Sequence, residues 1–213
     1  MILIPQPSGL KRKTPKVADA FDRIASALAR PGEGTSDFDL NPEFQPPAGR
    51  KLRPAGVLAA VMEDDAGLKL LLTKRSSALK HHPGQIAFPG GKQDDTDTDV
   101  VAAAIREAHE EIGLPPEQVD VLGQLPQHET VTGFMVTPVI ARVRSTFEII
   151  PEPGEVAEVF KVPLDHVLNP ANYQIQSRRW RGTRRAYFTV PFGPYYIWGA
   201  TARMLRLWTD RMT

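Results

Sequence analysis

The chain has 213 residues, and its 26 basic and 25 acidic side chains leave a formal net charge of only +1. This balance argues against a general nucleic-acid binder, because such proteins carry a clear surplus of positive charge. The chain has no cysteine, which excludes disulfides and thiolate metal sites and leaves oxygen or imidazole ligands, a set that suits Mg²⁺ or Mn²⁺.

The first quarter of the chain holds one helical pattern. Residues 1–16 have no regular periodicity and predict an extended, poorly ordered segment. They do not have a basic region followed by an apolar region, as a secretory signal has. Apolar residues recur on one side of Val17–Arg30, which predicts an amphipathic helix that packs on the main domain or makes a dimer contact. The stretch 31–54 is rich in proline and glycine and predicts a linker. We therefore divide the chain into an N-terminal extension, 1–52, and a main domain, 53–213.

The main domain has the pattern of a mixed sheet between helical layers. Two apolar runs, Ala55–Met62 and Leu68–Lys74, flank an acidic turn and predict a hairpin. Further strands are predicted over residues 85–88, 119–125, 133–144 and 155–160, a short helix over 165–168, and a second hairpin over 174–190 with Gly182 at its turn. Pro138 indicates an edge strand or a bulge, because proline cannot donate to a sheet ladder. A closing helix is predicted over 197–212, and strands flanked by helices define an α/β fold.

The most regular helical pattern of the main domain ends before Gly113. Apolar residues fall at i, i+3, i+4, i+7 and i+11, namely at Val101, Ala104, Ile105, Ala108 and Ile112. Cap-type residues occupy 97–99, Gly113 suits the left-handed position after the last turn, and Pro115 prevents continuation. The pattern predicts a helix between these signals.

Three glutamates lie on another side of this predicted helix. Glu107, Glu110 and Glu111 are spaced i, i+3, i+4, which brings side chains together on a helix surface. Carboxylates are unfavourable there, because the C-terminus is the negative pole of a helix and like charges repel. A hard dication held by carboxylate oxygens would remove both penalties. Considered alone, the glutamates also fit a solvated acidic face.

The stretch that contains these glutamates resembles the Nudix box, the signature of hydrolases that act on a nucleoside diphosphate linked to another group. Residues 106–114 match its second half, Arg-Glu-apolar-x-Glu-Glu-x-Gly-apolar. The first half departs from the pattern: counting from Gly91, the acidic position falls on Asp97 instead of a glutamate, and eight residues rather than seven separate it from Arg106. The loop before the helix is thus one residue longer than the general motif has.

A second motif lies immediately upstream, in LLTKRSSALKHHPGQIAFPGG at residues 71–91. It is similar to the motif that marks the coenzyme A pyrophosphatase branch of the family, and that branch also has the longer loop. The resemblance implies an α/β/α sandwich with a mixed sheet. It also implies metal-dependent hydrolysis of the pyrophosphate bond of coenzyme A or its thioesters, giving 3′,5′-ADP and (acyl-)4′-phosphopantetheine.

The resemblance implies roles for residues of the predicted helix. Carboxylates of the box helix coordinate the metal in this family, so the metal ligands here are Glu107, Glu110 and Glu111, with Mg²⁺ or Mn²⁺ as the ion. Glu110 is either a ligand or a base. Arg106 takes the place of the arginine that orients a neighbouring glutamate.

Residues outside the helix complete the predicted site. The carbonyl group of Gly91 is a candidate metal ligand, because glycine permits close approach. Many family members use a further acid from outside the box, for which Glu155 and Glu158 are the candidates, with an exposed loop acid as the alternative for each. The predicted phosphate contacts come from basic residues just before the box, with a solvated surface as the alternative: Lys74, Arg75, Lys80 and His82.

The arginines between Arg178 and Arg185, with Trp180 and Tyr187, form a second basic group that either binds RNA or a purine ring or is the solvent face of a hairpin. Two other functions compete with the first. One is a Nudix hydrolase for a dinucleotide, an ADP-sugar or a capped RNA end; the other is a catalytically silent binding module, which the presence of all three box glutamates disfavours. We expect a small nucleotide-type substrate, no membrane or nucleic-acid partner, a cytoplasmic location and, as an open alternative, a homodimer.

Overall fold

The computed structural model describes residues 17–44, 46, 49–180 and 182–213. The predictions that fall on residues 1–16, Pro47 and Arg181, and on the side chains of Val17 and Trp180, lie outside the described residues. In chain order the elements are α1 (Val17–Leu28), β1 (Thr35–Ser36), β2 (Arg53–Asp64), β3 (Gly67–Arg75), β4 (Ile86–Ala87), β5 (Gly90–Lys92), α2 (Val100–Ile112), β6 (Val119–Gln124), β7 (His128–Glu129), β8 (Phe134–Val143), β9 (Val156–Pro163), α3 (Leu164–Val167), β10 (Gln174–Trp180), β11 (Thr183–Thr189) and α4 (Gly199–Met212). No helix of these ranges is long and apolar enough to cross a membrane.

Nine strands form one mixed sheet around the parallel pair of β2 and β8. On one side, β8 pairs antiparallel with β6 and β7, and β1 adds a short parallel pair to β7. On the other side, β2 pairs antiparallel with β3 and β5, and β3 continues the sheet to β4 and β9. The predicted hairpins are confirmed as β2–β3 and β10–β11, the second of which forms a separate sheet with Gly182 in its turn at φ +85°.

Pro138 lies in β8, at the centre of the sheet, so the predicted edge position is wrong. Its carbonyl oxygen accepts from the N–H of Leu125 at 2.9 Å, just after β6 has ended and before β7 begins. A strand residue directs its N–H and carbonyl groups to the same side, so the missing N–H faces this gap. The irregularity is instead in β6, whose register shifts between Val121 and Gly123.

The sheet separates two apolar cores, as the alternation of β2 shows. Leu58 and Ala60 face α2, whereas Ala59 and Val61 face the layer that contains α1 and α4. Trp208 of α4 is fully buried in that second layer. The α/β/α sandwich with a mixed sheet is therefore confirmed.

The helix predicted at the N-terminus is confirmed as α1, which ends at Leu28. Phe21, Ile24 and Leu28 are buried in the second core. The apolar stripe therefore packs on the main domain, which was the first of the two predicted alternatives. Arg211 of α4 donates from Nη2 to the carbonyl oxygens of Ala27 at 2.9 Å and of Leu28 at 3.3 Å. The two helices are thus joined end to end by a side chain.

Residues 35–44, which we call the strap, bond to the rest of the fold more closely than the predicted linker implied. Besides the pairing of β1 with β7, the side chain of Asn41 accepts from the N–H of Ala186 at 2.7 Å and donates to its carbonyl oxygen at 2.9 Å. Asp39 pairs with Arg203 of α4 at 2.8 Å. The strap therefore occupies the free edge of β11. The domain boundary after residue 52 stays a prediction.

Candidate active site

The helix α2 carries the candidate site and has the predicted end signals. The side chain of Asp99 accepts from two backbone N–H groups of the first turn, both at 2.8 Å. The C-terminal cap is Gly113, at φ +71°. Both caps confirm the boundaries expected from the sequence and fix the glutamates in the last two turns.

Two glycines allow α2 to lie directly on the strands. They face each other across β2 and β5 as the pair Gly56 and Gly91. A Cβ atom at Gly56 would lie 2.0 Å from the carbonyl oxygen of Val100, and one at Gly91 would lie 2.5 Å from the carboxyl carbon of Glu107. Gly91 belongs to strand β5, because it pairs with Gly56 of β2. The sequence analysis missed Gly56, whose role depends on this pairing.

Glu111 is the most deeply buried of the three box glutamates, with 5% of its surface exposed. Its Oε2 accepts from the N–H of Gly90 at 3.2 Å. Burial, and to a lesser extent the charges of Glu107 and Glu155, raise the pKa of Glu111 to about 7, although the Gly90 N–H and the Arg75 guanidinium oppose the shift. The site thus holds a carboxyl group whose negative charge is poorly compensated.

The other two glutamates have different surroundings, so the three do not form one uniform patch as the spacing suggested. Glu107 is partly buried, and this burial raises its pKa, against the opposing effect of Arg106. The side chain of Glu110 is 57% exposed. Glu107 and Glu111, one turn apart, lie against the strand of Gly90 and Gly91, and Arg106 bonds to Glu107 and to the exposed Glu110.

Arg106 holds the acidic cluster together. Its Nε and Nη2 atoms donate to the two carboxylate oxygens of Asp97, each at 2.9 Å. Its Nη1 donates to Glu107 at 3.0 Å and to Glu110 at 3.1 Å. The hydrogen bonds from Arg106 also lower the pKa of Asp97. The aspartate that marks the departure from the general motif therefore orients the arginine, a role that its place in the motif alone did not reveal.

The two candidate acids outside the box lie in different places. Glu155 is held by its carbonyl oxygen, which accepts from Ser76 N at 2.7 Å, and its charge raises the pKa of Glu111. Glu158 is two residues before Phe160 and so lies on the same face of β9, that of the second core, where it accepts a hydrogen bond from the hydroxyl group of Tyr195. Glu155 is therefore the acid that lies with the box glutamates, whereas Glu158 lies on the opposite face of the sheet.

The basic residues before the box are also divided between the two faces. Arg75 is the last residue of β3, and its charge acts on Glu111. Lys74 follows Leu70 and Leu72 at every second residue, so it lies on the face of β3 that carries the second core, opposite to α2. Lys80 and His82 are exposed in the loop between β3 and β4, with His82 at φ +55°.

Carboxylate oxygens at this site fit a hard dication chemically, since their burial and mutual repulsion raise the pKa values of Glu107 and Glu111. Across the described ranges, however, no three Asp, Glu, His or Cys side chains converge closely enough to ligate one ion. Glu107 is bonded to Arg106 and Glu111 to Gly90. The assignment of metal ligands therefore stays a prediction: Glu107, Glu110, Glu111, Glu155 and Gly91.

We expect Gly91→Ala to lower the rate of hydrolysis strongly, because its methyl group would displace the Glu107 carboxylate from the position it occupies. A matched control is Gly154→Ala, whose Cβ atom would meet nothing closer than a Glu152 oxygen at 3.6 Å. Rates and thermal unfolding of both variants check the prediction. Equal activity of Gly91→Ala and its parent would show that Glu107 need not lie where it does.

The chain belongs to the Nudix family, since its residues 52–181 match the NUDIX domain. It is therefore an enzyme, a pyrophosphohydrolase, and Nudix hydrolases generally require divalent metal ions such as Mg²⁺.

Relatives of known sequence agree with this assignment. The chain is 39% identical over 167 residues to the uncharacterized Nudix hydrolase NudL of Enterobacter sp. (strain 638), covering 78% of this chain and 86% of that protein. For the protein of the same name from Citrobacter koseri the identity is 42% over 154 residues, covering 72% and 80%. The NUDIX domain of Shewanella oneidensis NrtR, complexed with ADP ribose, has the same fold: its TM-score is 0.50 at 17% identity, covering 81% of this chain and 96% of that one.

Proposed function

We propose that this Nudix hydrolase cleaves the pyrophosphate bond of coenzyme A or of its thioesters, giving 3′,5′-ADP and (acyl-)4′-phosphopantetheine. The observation that carries the proposal is the motif at residues 71–91, which resembles the coenzyme A branch of the family. Three residues of this motif are immediate neighbours of the box glutamates. The charge of Arg75 acts on Glu111, the N–H of Gly90 donates to Glu111, and Gly91 lies against Glu107.

The chemistry needs neutralised phosphoryl charge and an activated water, which Mg²⁺ or Mn²⁺ supplies when bound. Glu107, Glu111 and Glu155 would hold the ion, with the Gly91 carbonyl group as a further ligand. Glu110 is the most exposed carboxylate of the box, so it is available either as a ligand or as the base that accepts the proton of the water. Arg106 keeps Glu107 and Glu110 in place through the hydrogen bonds described above.

The basic residues before the box would contact the substrate phosphates. Arg75 is nearest to the buried carboxylate, so it is the candidate for the pyrophosphate itself. Lys80 and His82 stand in an exposed loop, where they are free to reach a ligand. The positive φ of His82 supports a functional role, because a non-glycine residue in the left-handed region costs free energy and such residues cluster at functional sites. Lys74, on the other face, could reach only a remote part of the substrate.

We expect coenzyme A to be cleaved with a higher kcat/KM than ADP-ribose or NADH, in the presence of Mg²⁺ or Mn²⁺. Chromatography should show 3′,5′-ADP and 4′-phosphopantetheine as the products. Dephospho-coenzyme A should be the poorer substrate, because it leaves a cation that reads the 3′-phosphate without a partner. A parallel reaction with Glu111→Gln controls for contaminating hydrolases.

The opposite ranking would overturn the branch assignment. If ADP-ribose or NADH has the higher kcat/KM, the enzyme is a Nudix hydrolase of another nucleoside diphosphate derivative, which was the competing interpretation of the sequence. The homodimer and the cytoplasmic location remain predictions.

A further inference from the structure

The hairpin β10–β11 places an arginine and a tyrosine beside the two aromatic residues that precede α4. The guanidinium carbon of Arg178 lies 4.6 Å from the ring centre of Trp198. The ring of Tyr187 meets Trp198 edge-on, at 5.1 Å between centres and 62° between planes. The hydroxyl oxygens of Tyr187 and Tyr196 are 3.4 Å apart. We call these four residues the aromatic cluster.

The aromatic cluster is not required to fill the core. Ile197, between the two aromatic residues of its segment, is fully buried, whereas 47% of the surface of Tyr196 is exposed. Arg178 is exposed as well, and Tyr187 and Trp198 are only partly buried. Partly exposed aromatic rings beside a guanidinium group offer both a stacking surface and a cation to a planar, charged ligand.

The segment that carries the cluster is fixed at the end of the sheet where the candidate active site lies. Tyr195 stacks on Phe160 of β9, with ring centres 3.6 Å apart, and its hydroxyl group donates to Glu158, which lies at the end of the sheet near Glu155 but on the opposite face from the box glutamates. On the other side of the cluster, Oγ1 of Thr201 donates at 3.0 Å to the carbonyl oxygen of Ile86 in β4, the strand that precedes Gly90 and Gly91. The cluster is therefore attached to both strands that flank the end of β3.

We propose that the aromatic cluster binds the planar base of the substrate nucleotide, and that Arg178 meets a phosphate group of the same nucleotide. Aromatic rings stack on any of the nucleotide bases, and a guanidinium group can both stack on a ring and pair with a phosphate group. The proposal rests on the proposed function in one respect: the adenine half of coenzyme A combines a purine with a 3′-phosphate. The pantetheine half has no planar ring and would gain little from these side chains.

Tryptophan fluorescence tests the binding directly. The chain has three tryptophans, of which Trp208 is fully buried, so Trp180→Phe leaves Trp198 as the accessible reporter. Adenosine 3′,5′-bisphosphate should quench this fluorescence in a saturable way, and 4′-phosphopantetheine should not. Quenching by 4′-phosphopantetheine alone would assign the cluster to the other half of the substrate and overturn the proposal.

Kinetics test the role in the reaction. Tyr196→Ala and Trp198→Ala should each raise KM for coenzyme A about 10-fold with kcat nearly kept, the effect of losing one stacking partner, and Trp198→Phe should retain most of the affinity. Ile175→Ala is the matched control, because Ile175 is 59% exposed on the other face of β10 and should behave like the parent. Tyr196→Ala removes an exposed side chain, so it carries the test even where Trp198→Ala fails to fold.

Failure of this proposal is distinguishable from failure of the proposed function. If coenzyme A is cleaved and KM is unchanged in both alanine variants, the cluster is not the base site although the function holds. If coenzyme A is inert but adenosine 3′,5′-bisphosphate binds the parent and not Tyr196→Ala, the cluster binds nucleotides and the substrate is another nucleoside diphosphate derivative.

Discussion

Replacing Glu111 by glutamine is expected to lower the rate of hydrolysis by at least ~10²-fold, the scale for removing a group that stabilises charge in the reaction. Glutamine has nearly the same shape and can still accept the hydrogen bond from Gly90, so the variant removes a charge and little else. The measurement is kcat for the preferred substrate at saturating Mg²⁺.

Chelation of the metal is the companion experiment. The parent enzyme in excess chelator should fall to background, and readdition of Mg²⁺ or Mn²⁺ should restore the parent but not Glu111→Gln. Full activity in chelator, or parental kcat in the variant, would contradict the assignment of Glu111 as a metal ligand.

The same substitution should stabilise the metal-free protein at neutral and higher pH. Glu111 has a pKa of about 7 in the folded state, against 4.5 for the ordinary side chain. Between these values the folded state keeps a proton that the unfolded state has lost, so the free energy of unfolding falls as pH rises from about 4.5 to about 7. The total effect is about 3 kcal/mol, because each pKa unit corresponds to roughly 1.4 kcal/mol. Glu111→Gln has no such ionisation and should be more stable by about that amount above pH 7.

Denaturant unfolding in the absence of metal, at a series of pH values, measures this difference. Glu110→Gln is the matched control: it removes the same charge from the neighbouring position of α2, where the side chain is 57% exposed, and should leave the pH profile nearly parental. Parallel profiles for the parent and Glu111→Gln would mean that the charge of Glu111 is solvated in the metal-free protein. Opposite effects on stability and rate would also show that the loss of activity is not a loss of folding.

Local periodicity was sufficient for most of the fold. The helix α2 could be predicted together with both caps, because Asp99 and Gly113 act on backbone groups within a few residues of themselves. The position of Pro138 could not, because whether a strand is central or at an edge depends on partners far away in the chain. The strap shows the same limit, since Asn41 and Ala186 are 145 residues apart and no local pattern indicates their contact.

The candidate site was predictable where it follows helical spacing. Glu107, Glu110 and Glu111 had to fall in the last turns of α2, but their different burial depends on the strand beneath them. The choice between Glu155 and Glu158 was open for a related reason: it depends on where β9 begins and on which face of that strand Glu158 takes. The use of Asp97 to hold Arg106 depends on how the loop before α2 folds back, which the longer motif spacing did not specify.

The junction of α1 with α4 has a consequence for synthesis in the cell. Arg211 and the carbonyl group of Ala27 are 184 residues apart, and α1 leaves the ribosome long before its partner exists. Until α4 has been made, the second core that buries Phe21 and Ile24 in the finished fold is incomplete. Exposed apolar side chains on an incomplete fold favour aggregation and the binding of chaperones. Helix α1 therefore lacks α4 as a partner until translation has passed Arg211, and the second core closes only at that stage.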